Sequence, residues 1–512
     1  MGDELFFLGL AVAVAVMAGR VMARRLPVPE AILLVGLGLL ISLLPGVEDV
    51  RVDPEIVLNL FLPPLVYHAA FLTTPRETRA DAGPIAIMAF TLTCATALGV
   101  AFAVGWAVPD LTWAAALALG AAVAPTDPVA ATAVMKRVGA PRRLVTILEG
   151  ESLVNDGVAL TMFGLALSAL SHQVTAGEAA TELVRVVAGG ILYGMAVAWV
   201  IGRLRPLIRE PGGQIVLSLL TPFVAYIPAE HLGLSGVLAT IVVGFWLGIK
   251  GNGVLQPASR LTGQAFWEVL VFLLESTLFV LLGLEITDVF AAMTGQSWPR
   301  LAATALLVIA VVVLLRMLWT LVVVPLLRFR RFETIDVRQR VVMGWAGMRG
   351  AITLAIALSI PFGVEHRPLL LFLAACVVLA TLVGQATTLA PLLRRLGLGE
   401  SDAEIKEETE ARAATLEAAL SRIDEMAADD RVDDRTADVY RQLFELRLDR
   451  VRSILDEDDA QPQLGKLRKE LVRAQRDKLD QLYRKGRIST RTQRKLLHEL
   501  DLEERRRASR GH

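Results

Sequence analysis

Cysteine is nearly absent from this chain, which contains two cysteines in 512 residues. Cys94 and Cys376 both lie inside apolar runs, so neither a disulfide framework nor a cysteine zinc site is expected. The sequence also lacks a Walker phosphate-binding motif, which argues against direct use of ATP. The amino terminus has no basic leader and no clear cleavage site, so its first apolar run is predicted to be a membrane span and not a signal peptide.

Apolar residues, by contrast, are abundant. They make up 54% of the chain and give a mean hydropathy of +0.53, which is typical of a polytopic membrane protein. The chain carries 52 basic and 52 acidic residues, but residues 401–512 alone hold 25 and 26 of them. This uneven distribution predicts a membrane domain over residues 1–399 and a charged helical tail over residues 400–512.

Thirteen apolar runs are long enough to cross about 30 Å of hydrocarbon. They cover residues 5–23, 30–45, 56–73, 84–107, 112–135, 144–170, 183–202, 213–229, 234–249, 265–286, 300–327, 340–360 and 367–393. Loops after the odd-numbered runs are rich in arginine and lysine, whereas loops after the even-numbered runs carry mainly acidic residues. The positive-inside rule therefore predicts an all-α, multi-pass protein of the cell membrane, with its N-terminus outside and its tail in the cytoplasm.

Two of the predicted spans contain helix breakers. In the fifth span Pro125 and Pro128 bracket Asp127, and in the twelfth span GWAGMRGAI places three glycines around Arg349. Proline removes a backbone donor, and irregular backbone at membrane depth occurs only where protein or water satisfies it. Because the fifth and twelfth spans run in opposite directions, we expect inverted repeats formed by spans one to six and eight to thirteen.

Polar side chains collect near the first break, although a charge at the membrane centre costs about 2.5–3.5 kcal/mol on insertion scales. The segment GESLVND opens the sixth span. Glu151 and Asn155 are four residues apart, as are Ser152 and Asp156, so all four side chains share one side of a helix.

Two arginines, Arg316 in the eleventh span and Arg349 in the twelfth, are available to neutralise carboxylates. Glu151 is predicted to form a structural ion pair with one of these arginines. Asp156 has no evident partner in its own helix, which suits it to binding a cation. Asp127 either caps the half-helix after the break or contributes to an ion site.

The segments GESLVNDGVAL, APTDPVA, LPPLVY and GMRGAITLAIAL together resemble the signature segments of sodium/proton antiporters. The resemblance is to the electroneutral branch of the monovalent cation/proton antiporter superfamily, and it covers residues 5–395. It implies a homodimer in which each protomer has a dimerisation domain and a six-helix core with crossed broken helices. It also implies elevator-type exchange of Na⁺ for H⁺, with no cofactor and no enzymatic activity.

The resemblance assigns roles to individual residues. Asp156 would be the carboxylate that binds the ion or the proton, and Asn155 would mark the asparagine–aspartate pair of the electroneutral branch. Thr126, Asp127 and Ser152 would complete or support the ion site. Glu151 would pair with an arginine, with Arg316 as the first choice and Arg349 as the second. Sodium prefers hard oxygen ligands, so we expect Asp156, Ser152, Thr126 and free backbone carbonyls to bind it.

Two further polar residues, His68 in LPPLVYHAAF and Glu275 in FLLESTLFVLL, stay open between structural and functional roles. Many relatives have an acidic residue where this chain has His68. An imidazole cannot supply an anionic oxygen, so the coordination shell, the ion selectivity or the pH response is expected to differ.

Several alternatives remain at this stage. A potassium/proton or mixed cation/proton exchanger would have the same features, and a cation channel is a remoter possibility. An intramembrane aspartyl protease that uses Asp127 and Asp156 would require a Gly-x-Gly-Asp segment, which is absent. The tail is either a set of solvated helices or a regulatory or dimerising domain whose basic end contacts anionic lipid. Membrane lipids, monovalent cations and protons are the expected partners, and nucleic acid is not.

Overall fold

The computed structural model of the chain describes residues 2–26, 28–44, 53–72, 75–171, 176–208, 210–254, 257–295, 297–326, 335–398, 402–429 and 431–455, with residues 475, 477–479, 481, 482, 485 and 487. These residues form helices and connecting turns, without a strand among them. The chain divides into two compact units, Met1–Glu400 and Ser401–His512.

The first unit is built from helices α1 to α16. Their bounds are α1 Gly2–Ala23, α2 Glu30–Ser42, α3 Pro54–Leu72, α4 Pro75–Ala107, α5 Trp113–Val123, α6 Pro128–Val138, α7 Arg142–Ser171, α8 Ala176–Leu204, α9 Pro211–His231, α10 Gly236–Val254, α11 Pro257–Ala292, α12 Trp298–Leu318, α13 Val324–Leu326, α14 Val337–Trp345, α15 Ala351–Leu358 and α16 Arg367–Arg395. A π-helical turn, Trp319–Val323, joins α12 to α13, and a 3-10 turn, Arg205–Leu207, follows α8.

The helices agree with the predicted membrane spans. Among the described residues, nine helical segments are long and apolar enough to cross a membrane, and three shorter apolar helices accompany them. These twelve segments coincide with twelve of the predicted spans, and the remaining span, residues 340–360, contains the short helices α14 and α15. The predicted all-helical membrane fold is therefore confirmed, whereas the count of thirteen crossings stays a prediction.

Both predicted breaks are present. The first separates α5 from α6, where Asp127 adopts an extended conformation before Pro128, since a residue that precedes proline is disfavoured in a helix. The second separates α14 from α15. The two breaks touch, because the Asp127 backbone N–H donates a hydrogen bond to the carbonyl of Met348 at 2.8 Å. The fold therefore contains the predicted pair of broken helices that meet at their interruptions.

Glycine allows close packing of neighbouring helices in the first unit. A Cβ atom on Gly38 of α2 would lie 2.9 Å from the Cα atom of Gly283 on α11, and one on Gly283 would lie 2.8 Å from the Cα atom of Gly38. Such small-residue contacts let backbones approach, which matters in lipid because dispersion and hydrogen bonding drive helix association there.

The second unit contains α17 (Asp402–Ala428) and α18 (Asp434–Leu455), which pack together. Ion pairs join them, with Arg441 Nη2 2.8 Å from Asp424 Oδ1 and Arg452 Nη2 2.8 Å from Glu417 Oε1. The sequence pattern suggested a thin apolar seam that includes leucines of residues 443–448. Of these leucines, Leu448 is buried, whereas Leu443 and Leu446 are exposed.

Candidate functional site

Helix α7 carries four buried polar residues in its first half. Glu151, Ser152, Asn155 and Asp156 are each no more than 4% exposed. Their i,i+4 spacing places them along one side of α7. The break between α5 and α6 lies against this side. Buried polar groups require partners, so the hydrogen bonds of each residue indicate its role.

Two of these side chains, Ser152 and Asn155, form a network with the first break. The Asn155 Nδ2 atom donates to Thr126 Oγ1 at 2.7 Å, and Thr126 Oγ1 lies 3.3 Å from Ser152 Oγ. Thr126 belongs to the non-helical residues between α5 and α6, so this network attaches α7 to the break. The structure thus brings together three residues that the sequence analysis proposed for the ion site.

Asp127 lies where two helices begin. Its Oδ1 atom accepts the backbone N–H of Val129 at 2.8 Å, and its carboxylate lies beside Gly350, the residue before α15. The carboxylate occupies the space where Gly350 would carry a Cβ atom, which explains a glycine at that position. Helix N-termini have a partial positive charge. Asp127 caps α6 and lies at the N-terminus of α15, so its negative charge is compensated by both helix ends.

Arg349 interacts with the carbonyl end of a helix, whereas Asp127 interacts with helix N-termini. Its Nε atom donates to the carbonyl of Val123, the last residue of α5, at 3.0 Å, and its Nη1 atom donates to the carbonyl of Gly347. The carbonyl end of a helix has a partial negative charge, which a guanidinium stabilises. The second predicted partner of Glu151 is therefore occupied at the crossing of the broken helices.

Glu151 is paired with Arg316, the first of its two predicted partners. Arg316 Nη1 lies 2.5 Å from Glu151 Oε1, and Nη2 lies 3.1 Å from Oε2, so the contact is bidentate. Both side chains are 2% exposed. Arg316 also donates to the carbonyl of Met343 on α14 from Nε and Nη2 at 3.3 and 3.2 Å. This ion pair joins α7, α12 and α14, and it neutralises the charge of Glu151.

Asp156 has a different environment. Its Oδ1 atom and the Oδ1 atom of Asn155 are buried oxygens without a hydrogen-bond partner in the described structure. The Asp156 carboxylate also experiences the negative charge of Asp127. A buried acceptor without a partner costs about 1–3 kcal/mol, and more when it is charged. Of Glu151, Asp127 and Asp156, Asp156 is the one left uncompensated, and a proton or a small cation would satisfy it.

The two open residues have different surroundings. Glu275 of α11 is close enough to Asp127 for their charges to interact. His68 of α3 is half-buried and stacks on Trp267 of α11, with ring centroids 5.6 Å apart, and the charge of Glu268, also on α11, acts on it. Glu275 is thus linked to the polar network, whereas the described contacts of His68 are with α11.

Sequence reasoning missed two threonines that support the breaks. Thr381 of α16 accepts the backbone N–H of Arg349 at 3.1 Å, and Thr353 of α15 lies 3.5 Å from the carbonyl of Pro125. Both hydroxyls are buried. Thr381 lies far in the sequence from both breaks, and Thr353, three residues after Gly350, carries no charge, so the sequence pattern identified neither threonine.

Comparison with known proteins gives an independent view. The family model of the transmembrane sodium/hydrogen exchanger matches residues 11–395. The uncharacterized Na⁺/H⁺ exchanger YjcE of Escherichia coli is 33% identical over 98% of each chain. A sodium, potassium, lithium and rubidium/H⁺ antiporter of Bacillus pumilus is 32% identical over 76% of this chain and 61% of its own length. The structure of the sodium proton antiporter MjNhaP1 from Methanocaldococcus jannaschii at pH 8 matches with a TM-score of 0.61, over 77% of this chain and 98% of that chain. The two sequences are 19% identical, so this match shows a similar fold.

Proposed function

Because the chain belongs to the sodium/hydrogen exchanger family, we propose that it is a secondary transporter that exchanges Na⁺ for H⁺ across the cell membrane. The exchanging group is the carboxylate of Asp156. The observation that carries this assignment is the difference between the three carboxylates at the breaks. Glu151 is neutralised by Arg316 and Asp127 by two helix N-termini, whereas Asp156 Oδ1 has no partner.

The mechanism is competition for one carboxylate. Desolvation favours the protonated form of an acid, so a buried aspartate can hold either a proton or a cation near neutral pH. Sodium binds hard oxygen ligands, and Asp156, Ser152 and Thr126 supply carboxylate and hydroxyl oxygens. Either cargo satisfies the buried oxygen, so the loaded site can cross in either direction without the two cargoes meeting. Asp127 supports the site, and Asn155 holds Thr126 through its amide.

Alternating access completes the proposal. The two breaks form one unit in which α7, α12, α14 and α16 are tied together by Glu151, Arg316, Arg349 and Thr381. Such a unit is suited to move as a body, so we place the exchange in an elevator-type cycle of a homodimer. The alternation of basic and acidic loops supports an external N-terminus and a cytoplasmic tail.

Potassium/proton or mixed cation exchange is the second candidate. The relative from Bacillus pumilus is named for sodium, potassium, lithium and rubidium. Carboxylate, hydroxyl and carbonyl oxygens bind all of these ions, so the ligand types alone favour none of them. A cation channel is the remote alternative.

The test uses everted membrane vesicles that contain the protein, with a pH-sensitive dye as the reporter of proton movement. Sodium, lithium and potassium are added separately across a range of pH. We expect sodium to cause proton efflux, and the sodium concentration for half-maximal efflux to rise as the pH falls, because protons then occupy more of the carboxylate. Potassium-driven efflux of equal size would favour the mixed exchanger, and no response to any cation would refute the proposal.

A further inference from the structure

Helix α18 of the tail has two faces of different character. One face packs on α17, where Ala437 and Leu448 are buried and Arg441 bonds to Asp424. The basic groups on this face are thus satisfied by acidic groups of the partner helix. Helix α17 covers only this face of α18.

The other face exposes apolar side chains. Val439, Leu443 and Leu446 are 61%, 42% and 68% exposed, and their spacing aligns them along one stripe. Tyr440, beside the stripe, is 52% exposed. Within the described part of the tail, these are all of the large apolar side chains that are exposed. A concentrated apolar patch on a solvated unit marks an interaction surface.

The charges that flank the stripe are basic. Arg435 and Arg447 are exposed, and neither makes an ion pair with a described residue. The Arg447 guanidinium lies 5.2 Å from the centroid of the Phe444 ring, which holds it beside the stripe. Helical spacing puts the nearby acidic residues on another side of α18: Asp438, Glu445 and Asp449.

We infer that this face of α18, formed by Val439, Leu443, Leu446 and the flanking arginines, docks on an anionic lipid surface. Apolar side chains with basic neighbours suit the boundary between headgroups and acyl chains, where guanidinium groups meet lipid phosphates. This inference concerns the tail and is independent of the ion site.

Charge complementarity distinguishes lipid from the other possible occupants. Two copies of the face packed on each other would bring their arginines together, and like charges repel. The remainder of the tail, residues 456–512, carries 16 basic and 11 acidic residues, so its net charge has the same sign as the basic face. An anionic headgroup layer complements both the arginines and the apolar stripe.

The test uses the full-length protein with Cys94→Ser and Cys376→Ser, so that introduced cysteines are the only labelling sites. An environment-sensitive NBD fluorophore is attached at Leu443→Cys, and at Glu445→Cys as the matched control on the other side of α18. Both proteins are placed in nanodiscs of phosphatidylcholine alone or with added phosphatidylglycerol. We expect a blue shift at position 443, but not at position 445, only with the anionic lipid and only at low salt.

The arginines supply the second arm of the test. At about 1 kcal/mol per basic residue near an anionic surface, each of Arg435→Gln and Arg447→Gln should lower the ratio of docked to free tail about fivefold. Unchanged helicity by circular dichroism would show that the variants still fold. An equal blue shift in both lipids, or no shift in either, would overturn the inference. A cross-link between copies at position 443 that forms regardless of lipid would instead identify a second copy as the occupant.

Discussion

Glu151 and Asp156 lie on the same helix, and their surroundings give them different tasks. The bidentate contact with Arg316 neutralises Glu151 in a site that water does not reach. Asp156 has a comparable depth of burial but an oxygen without a partner. A carboxylate that is already paired with an arginine is poorly suited to release and rebind a cargo, whereas an unpaired one is suited to it.

The Glu151–Arg316 ion pair should behave as one unit in a double-mutant cycle. Glu151→Leu or Arg316→Met alone leaves the opposite charge buried and unpaired, which costs about 3–5 kcal/mol of unfolding free energy. The double variant should recover part of that loss, because neither charge remains. Thermal unfolding of the purified protein in detergent measures all four forms.

The exposed ion pair between Lys136 and Glu149 is the control for this cycle. Its side chains are 64% and 29% exposed, so Lys136→Gln should cost about 1 kcal/mol or less. Strictly additive losses at Glu151 and Arg316 would show that the two residues do not interact.

For individual residues, the sequence predicts the members of the site more reliably than it predicts their contacts. Few charges lie within the spans, so Glu151, Asp156 and the two arginines stand out. The choice between Arg316 and Arg349 depends on how distant helices pack, which a local pattern does not contain. Thr381 was missed because a threonine in a helix commonly bonds to its own preceding turn. It does so here, to the carbonyl of Val377 at 2.9 Å, while it also holds Arg349.

The broken helices are the elements that build the site. Prolines and glycines in the sequence predict where α5, α6, α14 and α15 end, because these residues act through local backbone geometry. The close contact of the breaks through Asp127 and Met348 is a tertiary feature. It followed from the family resemblance and not from the local pattern. In the tail, the sequence predicted helices, but it did not predict that Leu443 and Leu446 would face outward.

Gly350→Ala tests the contact between the breaks. A Cβ atom there would overlap the Asp127 carboxylate, so we expect a loss of about 1–3 kcal/mol in unfolding free energy and a loss of cation-dependent proton transport. Gly363→Ala, in the turn after α15, is the control because a Cβ atom at that position has no neighbour within 4 Å. Melting temperature and vesicle transport are measured for both. Gly350→Ala protein with the stability and transport of the parent would show that the contact is dispensable.

For the whole molecule, the proposal of a single exchanging carboxylate predicts the stoichiometry. One carboxylate would carry one Na⁺ or one H⁺, so each cycle would move no net charge. A charge that crossed alone would experience about 2.3 kcal/mol per 100 mV of membrane potential. We therefore expect a transport rate in proteoliposomes that does not change when valinomycin and potassium clamp the potential at different values. A reversal point that shifts with voltage would mean that Asp127, Glu275 or another group also changes its charge during the cycle.

The most direct test of the central claim compares purified wild-type and Asp156→Asn proteins in proteoliposomes. Sodium uptake and proton efflux are recorded together under a fixed sodium gradient. An asparagine amide cannot exchange a proton for a cation near neutral pH. We therefore predict coupled fluxes for the wild type and neither flux for Asp156→Asn. The two proteins should reconstitute equally and show the same melting behaviour. Near-normal coupled exchange by correctly folded Asp156→Asn protein would contradict the assignment of Asp156 as the exchanging carboxylate.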